Sequence, residues 1–265
     1  MYSRFGIVFL LATVLAACGE QELRVQIPFG AVYKGAKIDC ESEGGPQLSD
    51  LRFYASEIEL IDAAGDSYAI KLDSDSIWQH ADVVLLDLEN GSGGCANGTI
   101  DINSEIRGSV ADRDYRSLQF TLGVPFELNH RDPLLAEAPL DDAAMHWHWR
   151  GGYKFLRAGL RNANDSFWIH LGSTGCQGTI QDITHCNAPN RVSVQIDDFV
   201  PGRDVVIIDL AEIPGVDELA DGDASDCSSG PAESSCINAF AAFGLDHATG
   251  KTNSEQRVFT RYPLR

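Results

Sequence analysis

The chain has 265 residues, 44% of them hydrophobic, enough to fill the core of one large domain or two small ones. Its 20 Lys and Arg face 39 Asp and Glu, a formal net charge of -19. A surface that acidic repels polyanions, which excludes nucleic acid as a partner and makes cations the better match.

The first element in chain order is an export signal. Arg4 supplies a positive start, residues 5–15 form an apolar run too short to span a bilayer, and Leu15-Ala16-Ala17-Cys18 ends it on small residues before a cysteine. This pattern predicts a bacterial lipoprotein signal peptide over residues 1–17, with Cys18 lipidated as the N-terminus of the mature chain. Gly19 rather than Asp follows Cys18, which favours the outer membrane, and two or three acyl chains anchor stably. The expected location is the cell envelope, lipid-anchored to the outer membrane and facing the periplasm. No later stretch is long and apolar enough for a transmembrane helix.

Strand signals dominate the remainder. Residues 23–29, 51–61 and 118–124 alternate apolar with polar, while 83–88 and 205–210 are continuous β-branched and Leu runs that suit buried strands. Gly-, Asp-, Asn- and Ser-rich turns at 43–46, 64–66, 89–94 and 162–165 punctuate them. Helix is sparse: residues 236–243 suggest one short helix and 134–138 a turn. Residues 217–235 form an acidic, Ser-rich loop. The expected fold is all-β, an antiparallel β-sandwich with long loops, in a single domain over residues 18–265.

Cysteine usage fits the exported address. Of seven Cys, Cys18 goes to lipid, leaving Cys40, Cys95, Cys176, Cys186, Cys227 and Cys236. An even count in an oxidising compartment predicts three disulfides, although six cysteines allow many pairings. Sequence proximity favours Cys176–Cys186 and Cys227–Cys236 as local loops, with Cys40–Cys95 as the long link. No C-x2-C pair offers a structural zinc site.

Sequence motifs exclude several enzyme classes. There is no G-x-S-x-G elbow, no P-loop and no G-x-G-x-x-G after a strand. Gly172-Ser173-Thr174-Gly175 reads as a tight turn. Asp221 to Asp226 resembles half a calcium loop, but Asp226 and Ala232 stand where the turn Gly and the bidentate Glu belong, so it reads as solvated loop.

The informative pattern is the placing of His and Trp. All four Trp lie within two residues of a His: Trp78–His80, Trp168–His170, and the block His146-Trp147-His148-Trp149. Residues two apart on a strand share a face, so Trp78 and His80 point one way, as do Trp168 and His170. In the block, the two His would share one face and the two Trp the other. Neutral imidazole suits copper, zinc or nickel, and His130 adds a candidate from a loop. The plainer reading is Trp packed in a β core beside a His that satisfies a polar contact. Met145 alone remains of the mature Met, so a Met-rich copper motif is absent, and no blue-copper pattern appears.

Several segments in order carry a family resemblance. They are Asp50-Leu51-Arg52-Phe53-Tyr54, Val84-Leu85-Leu86-Asp87, the stretch TLGVPFELNH ending at His130, Trp147-His148-Trp149-Arg150-Gly151-Gly152-Tyr153-Lys154-Phe155-Leu156-Arg157, and His170-Leu171-Gly172-Ser173-Thr174-Gly175-Cys176. This resembles the MbnP family, the four-Cys half of the metallo-mystery pair systems. The resemblance implies a non-enzymatic periplasmic copper-binding protein that is the substrate of a partner di-haem MauG/MbnH-like peroxidase. In that family the partner oxidises a Trp to kynurenine, which helps bind copper. By motif, the resemblance points to His130 and His170 and to Trp147 and Trp149 as metal-site residues, with His80, His146, His148, Trp78 and Trp168 as secondary candidates. This chain departs from the pattern at His146 and His148 and carries more than four mature Cys. A small copper-dependent oxidase and a metal-free structural β-sandwich lipoprotein are the rival expectations.

Overall fold

The computed structural model describes residues 21–75, 77–163, 165–179, 182–214 and 225–264. The signal peptide, Cys18 and residues 217–224 of the acidic loop lie outside them. Strand β1 (Glu22–Tyr33) opens the described chain and buries Val25, Ile27, Phe29 and Ala31, as its alternation predicts. It is followed by β2 (Ala36–Lys37), β3 (Gln47–Asp62), β4 (Ser67–Ala69), β5 (Lys71–Leu72), β6 (Gln79–His80), β7 (Val83–Asp87), β8 (Glu105–Ala111), β9 (Tyr115–Leu122) and the single turn α1 (Phe126–Asn129). Next come β10 (His146–His148), β11 (Gly152–Arg161), β12 (Ser166–Gly172), β13 (Thr174–Thr179), β14 (Asp182–Ala188), β15 (Val192–Asp197), β16 (Asp204–Asp209), α2 (Cys236–Ala242) and β17 (Phe259–Pro263).

The strands form two main sheets. One runs β17-β16-β1-β8-β5, with β2 on β1. The other runs β10-β11-β3-β7-β6, with β12 on β11, β4 on β3, and β15 joined through β9 to β3. The hairpin β13–β14 pairs with neither. Phe29 and Phe259 of the first sheet meet Phe53 and Phe120 of the second, edge to face, at centroid distances of 5.4–5.9 Å. These rings hold the sheets together over an apolar core.

The expected disulfide-stapled β architecture is observed, with two refinements. Strand β1 pairs with β16 in parallel, Phe29 opposite Val206, an orientation that alternation along one strand cannot reveal. Strand β3 is buried continuously from Asp50 to Ser56, not on one face only. Its outer face is covered by a second apolar cluster in which Tyr54 packs with Val124, Met145, Tyr153 and Phe155. The run 83–88 appears as β7, buried at all five positions. By contrast, β16 buries Val206 and Ile208 while its other face is only partly covered.

Three disulfides join the favoured pairs, the two local loops Cys176–Cys186 and Cys227–Cys236 and the long link Cys40–Cys95. The short helix at the last pair is present as α2, whereas α1 within the PFELNH stretch carries too little periodicity to be read beforehand. Truncating Phe120 to Ala should cost about 3–5 kcal/mol, because its ring bridges the two sheets. The exposed Ile237→Ala control on α2 should stay within about 0.5 kcal/mol of wild type. Urea unfolding followed by far-ultraviolet circular dichroism checks both.

Candidate metal centre

Asn129 fixes the framework of the site. It is buried at the end of α1; its Oδ1 accepts from Tyr153 N at 2.9 Å, and its Nδ2 donates to Gly151 O at 3.4 Å. The same amide lies 3.3 Å from His130 Nε2. One side chain therefore joins α1 to the turn between β10 and β11. That turn needs Gly152, whose φ is +77° and where a Cβ would fall 2.2 Å from Asn129 O. Tyr153 then enters β11 with its hydroxyl donating to Leu140 O at 2.5 Å.

His170 sits on β12, with its backbone tied to the later part of the acidic loop. His170 N donates to Cys227 O at 2.8 Å, and Ser229 Oγ donates to His170 O at 2.8 Å. Its ring lies 6.0 Å from Trp168 on the same strand face, as the two-residue spacing predicts, and 6.3 Å from Trp147 across from it. Two glycines make room for these indoles. A Cβ at Gly159 would meet Trp168 at 2.5 Å, and one at Gly172 would meet Trp147 at 3.1 Å. The Trp147 ring also lies 6.3 Å from that of its chain neighbour His148. His148 Nδ1 accepts from Gly151 N at 3.1 Å, leaving Nε2 as its remaining donor atom.

His170 Nε2 is buried without a hydrogen-bond partner. Burial, then Lys154, then Arg157 push its pKa down to about 4. The ring is thus neutral at pH 7, the form that ligates metals. Arg157 stacks over Trp168 at 5.5 Å, and Lys154 Nζ donates to Ala144 O at 2.9 Å.

His130 occupies a second setting. With Trp149, Phe126, Leu135 and Ile183 it lines an open cleft of about 860 Å³. Its Nδ1 is buried and makes no hydrogen bond of regular geometry, although the Trp149 backbone lies close enough to favour the charged ring. Burial outweighs that contact and lowers the pKa of His130. Cys186 Sγ lies 3.4 Å from its Nε2.

The geometry sorts the candidates. The two Trp of the His146–Trp149 block do not share one face: Trp147 packs on Gly172, whereas Trp149 lines the His130 cleft under the Arg150 guanidinium at 4.8 Å. The reason is that β10 ends at His148, so the two-residue period stops before Trp149. His146 stacks on Tyr153 at 5.4 Å, and burial lowers its pKa. Both ring nitrogens of His80 are engaged, one with Ser74 Oγ at 3.0 Å and the other with Glu137 at 2.8 Å. Trp78 packs into the second apolar cluster instead of onto His80. Sequence reasoning missed Asn129, Lys154 and Arg157 as parts of the site. Their only signal was membership of the same motifs as His130 and Trp147.

The depressed pKa of His170 has a definite consequence for stability. In the unfolded chain the ring takes up a proton near 6.5, whereas in the folded protein it does so only near 4. The contribution of this group is complete above pH 6.5 and is lost as pH falls towards 4. Metal-free His170→Asn should show a shallower loss of stability than wild type between pH 6.5 and 4, measured as urea midpoints across that range.

Comparison with known proteins bears on this centre. A search of curated proteins finds no match. Among solved structures, MbnP from Methylosinus trichosporium superposes with a TM-score of 0.77 at 24% sequence identity, over 92% of this chain and 100% of that one, a likeness that shows the fold. The MbnP family model matches residues 22–227, well over half of the chain. The chain therefore belongs to the MbnP family.

Proposed function

We propose that this protein is a copper-binding lipoprotein of the cell envelope, not an enzyme, and that a di-haem MauG/MbnH-like oxidase is its partner. Cys18 is its lipid anchor and copper its metal. The observation that carries this reading is the pair of half-buried, neutral imidazoles, His170 and His130, each with one buried ring nitrogen that makes no regular hydrogen bond and each beside a Trp. A buried polar atom without a partner costs stability unless something else satisfies it.

His170 is the first ligand and His130 the second. Trp147 is the preferred source of a kynurenine ligand, since it lies against both His170 and His148; Trp149, in the cleft with His130, is next. Kynurenine presents an aryl amine and a ketone where indole presents only an N–H donor. An amine with imidazoles makes a low-coordinate site that suits copper. Burial, with Lys154 and Arg157 adding to it, keeps His170 unprotonated, and Asn129 holds the His130 ring in place. The partly exposed Trp149 gives an external oxidant a surface from which to withdraw electrons.

The open cleft beside His130 and Trp149 supports a second reading, a small copper-dependent oxidase with its substrate in that cleft. Substrate-dependent oxygen consumption by the copper-loaded protein would favour it.

The test is to isolate the protein after co-expression with its partner and to measure copper together with intact and peptide mass. The expected result is bound copper and one Trp, Trp147, that has lost one carbon and gained one oxygen. His170→Ala should reduce copper affinity by more than the about 10- to 100-fold that loss of an outer-shell partner costs. Copper absent from the co-expressed protein, with every Trp intact, would sink the proposal.

A further inference from the structure

We propose that the Cys176–Cys186 disulfide masks a redox-gated soft-metal site: once it is reduced, the two thiolates and His130 bind one Cu(I) ion. This site shares His130 with the copper reading above, but it needs neither a modified Trp nor the partner oxidase.

The donor atoms are already assembled. His130 Nε2 lies 3.4 Å from Cys186 Sγ, and one ligand atom from each of His130, Cys176 and Cys186 falls within 4.8 Å of the others. The sulfurs are direct cross-strand partners on β13–β14, so opening the bond leaves both thiols on one face of an intact hairpin. That hairpin belongs to neither main sheet, so the core does not depend on its bridge.

Accessibility separates this bridge from the other two. Cys40, Cys95, Cys227 and Cys236 are each no more than 1% exposed. Cys186 is partly exposed, and Cys176 lines a cavity of about 280 Å³ with Trp147, His148 and Arg150. Thiol–disulfide exchange requires the attacking thiolate to reach a sulfur, so an external dithiol meets this pair first.

The chemistry balances with a dithiol as reductant. Its first thiolate attacks one sulfur and breaks the protein S–S bond, forming a mixed disulfide. Its second thiol then releases the protein and leaves as a disulfide. Two electrons and two protons pass to Cys176 and Cys186. Binding of Cu(I) forms two Cu–S bonds and one Cu–N bond and releases both thiol protons to solvent, with no change in the metal's oxidation state. Two soft thiolates with one imidazole select Cu(I) over hard cations. Arg150 beside Cys176 offsets the net negative charge that remains.

The experiment uses protein made without the partner oxidase, so that every Trp is intact. It is exposed anaerobically to graded dithiothreitol, and free thiols are alkylated and mapped by peptide mass. A parallel sample, freed of dithiol, is titrated with Cu(I) held by a chromophoric chelator. Cys176 and Cys186 should open before the other four. The reduced protein should take one more equivalent of Cu(I) than the oxidised protein, with thiolate-to-copper absorption in the near ultraviolet. His130→Gln should weaken that equivalent by at least the about 10- to 100-fold that even an outer-shell loss costs. The Cys176→Ser/Cys186→Ser double variant should lack it. If that variant fails to fold, wild type reduced and alkylated at only these two cysteines serves instead and should also lack it.

No additional Cu(I) on reduction would overturn the proposal. So would its retention when both sulfurs are replaced or capped, full affinity in His130→Gln, or prior opening of another bridge. Copper in oxidised, partner-processed protein, with no gain when the unprocessed protein is reduced, would sink this inference alone. A gain on reduction of unprocessed protein, with no copper in the oxidised, partner-processed protein, would sink only the earlier one.

Discussion

A buried ion cluster joins the core of the sandwich to the candidate metal centre. Arg52 and Asp50 of β3 pair at 2.6 Å with 4% side-chain exposure each. Arg52 also reaches Asp142 at 3.3 Å, and Arg157 of β11 reaches Asp50 at 3.3 Å. Burial opposes charge on Arg52, but Asp50, Asp142 and Asp87 outweigh it and hold its pKa above the ordinary guanidinium value. Loss of either Arg52 or Asp50, each 4% exposed, would leave the other buried with its main partner gone, typically a cost of about 3–5 kcal/mol. Asp142 in turn leads into Met145 and His146, and Arg157 stacks on Trp168. The centre therefore takes its shape from charges that the core requires.

The same cations tune the chemistry. The chain as a whole is acidic, so its surface draws cations towards it. Around His170, burial disfavours a protonated ring, and Lys154 and Arg157 add to that effect. A neutral imidazole in a positively biased, partly dry setting suits a monovalent soft ion better than a divalent hard one. The disulfide next to His130 places two further soft atoms at the edge of this region.

Much of this was legible in the chain, and particular residues show why. Alternation over 23–29 placed Val25, Ile27 and Phe29 in the core, because a half-buried strand has a side-chain period of two. The pairing of Cys227 with Cys236 followed from their nearness along the chain. The face shared by Trp168 and His170 followed from strand spacing. The reading of Trp147 and Trp149 as one face did not hold, since spacing counts only while the strand lasts and β10 stops at His148. Both-sided burial of β3 was equally invisible, because Tyr54 meets Pro139, 85 residues on, and Tyr153 further still, only after the chain has returned.

The sequence by itself determined the β class, an even set of six cysteines for disulfides and the set of His and Trp from which a metal centre can be drawn. Those properties rest on local periodicity, composition and short-range motifs, which survive without a three-dimensional frame. Only the tertiary structure decided which members of that set lie together. It brought Trp147 to His170, set Glu137 on the Nε2 of His80, and set Cys186 against His130. These contacts join residues far apart in the chain and depend on where α1, β10, β12 and the β13–β14 hairpin come to rest. That position is set by long-range packing and by the hydrogen bonds of Asn129, which no local pattern encodes.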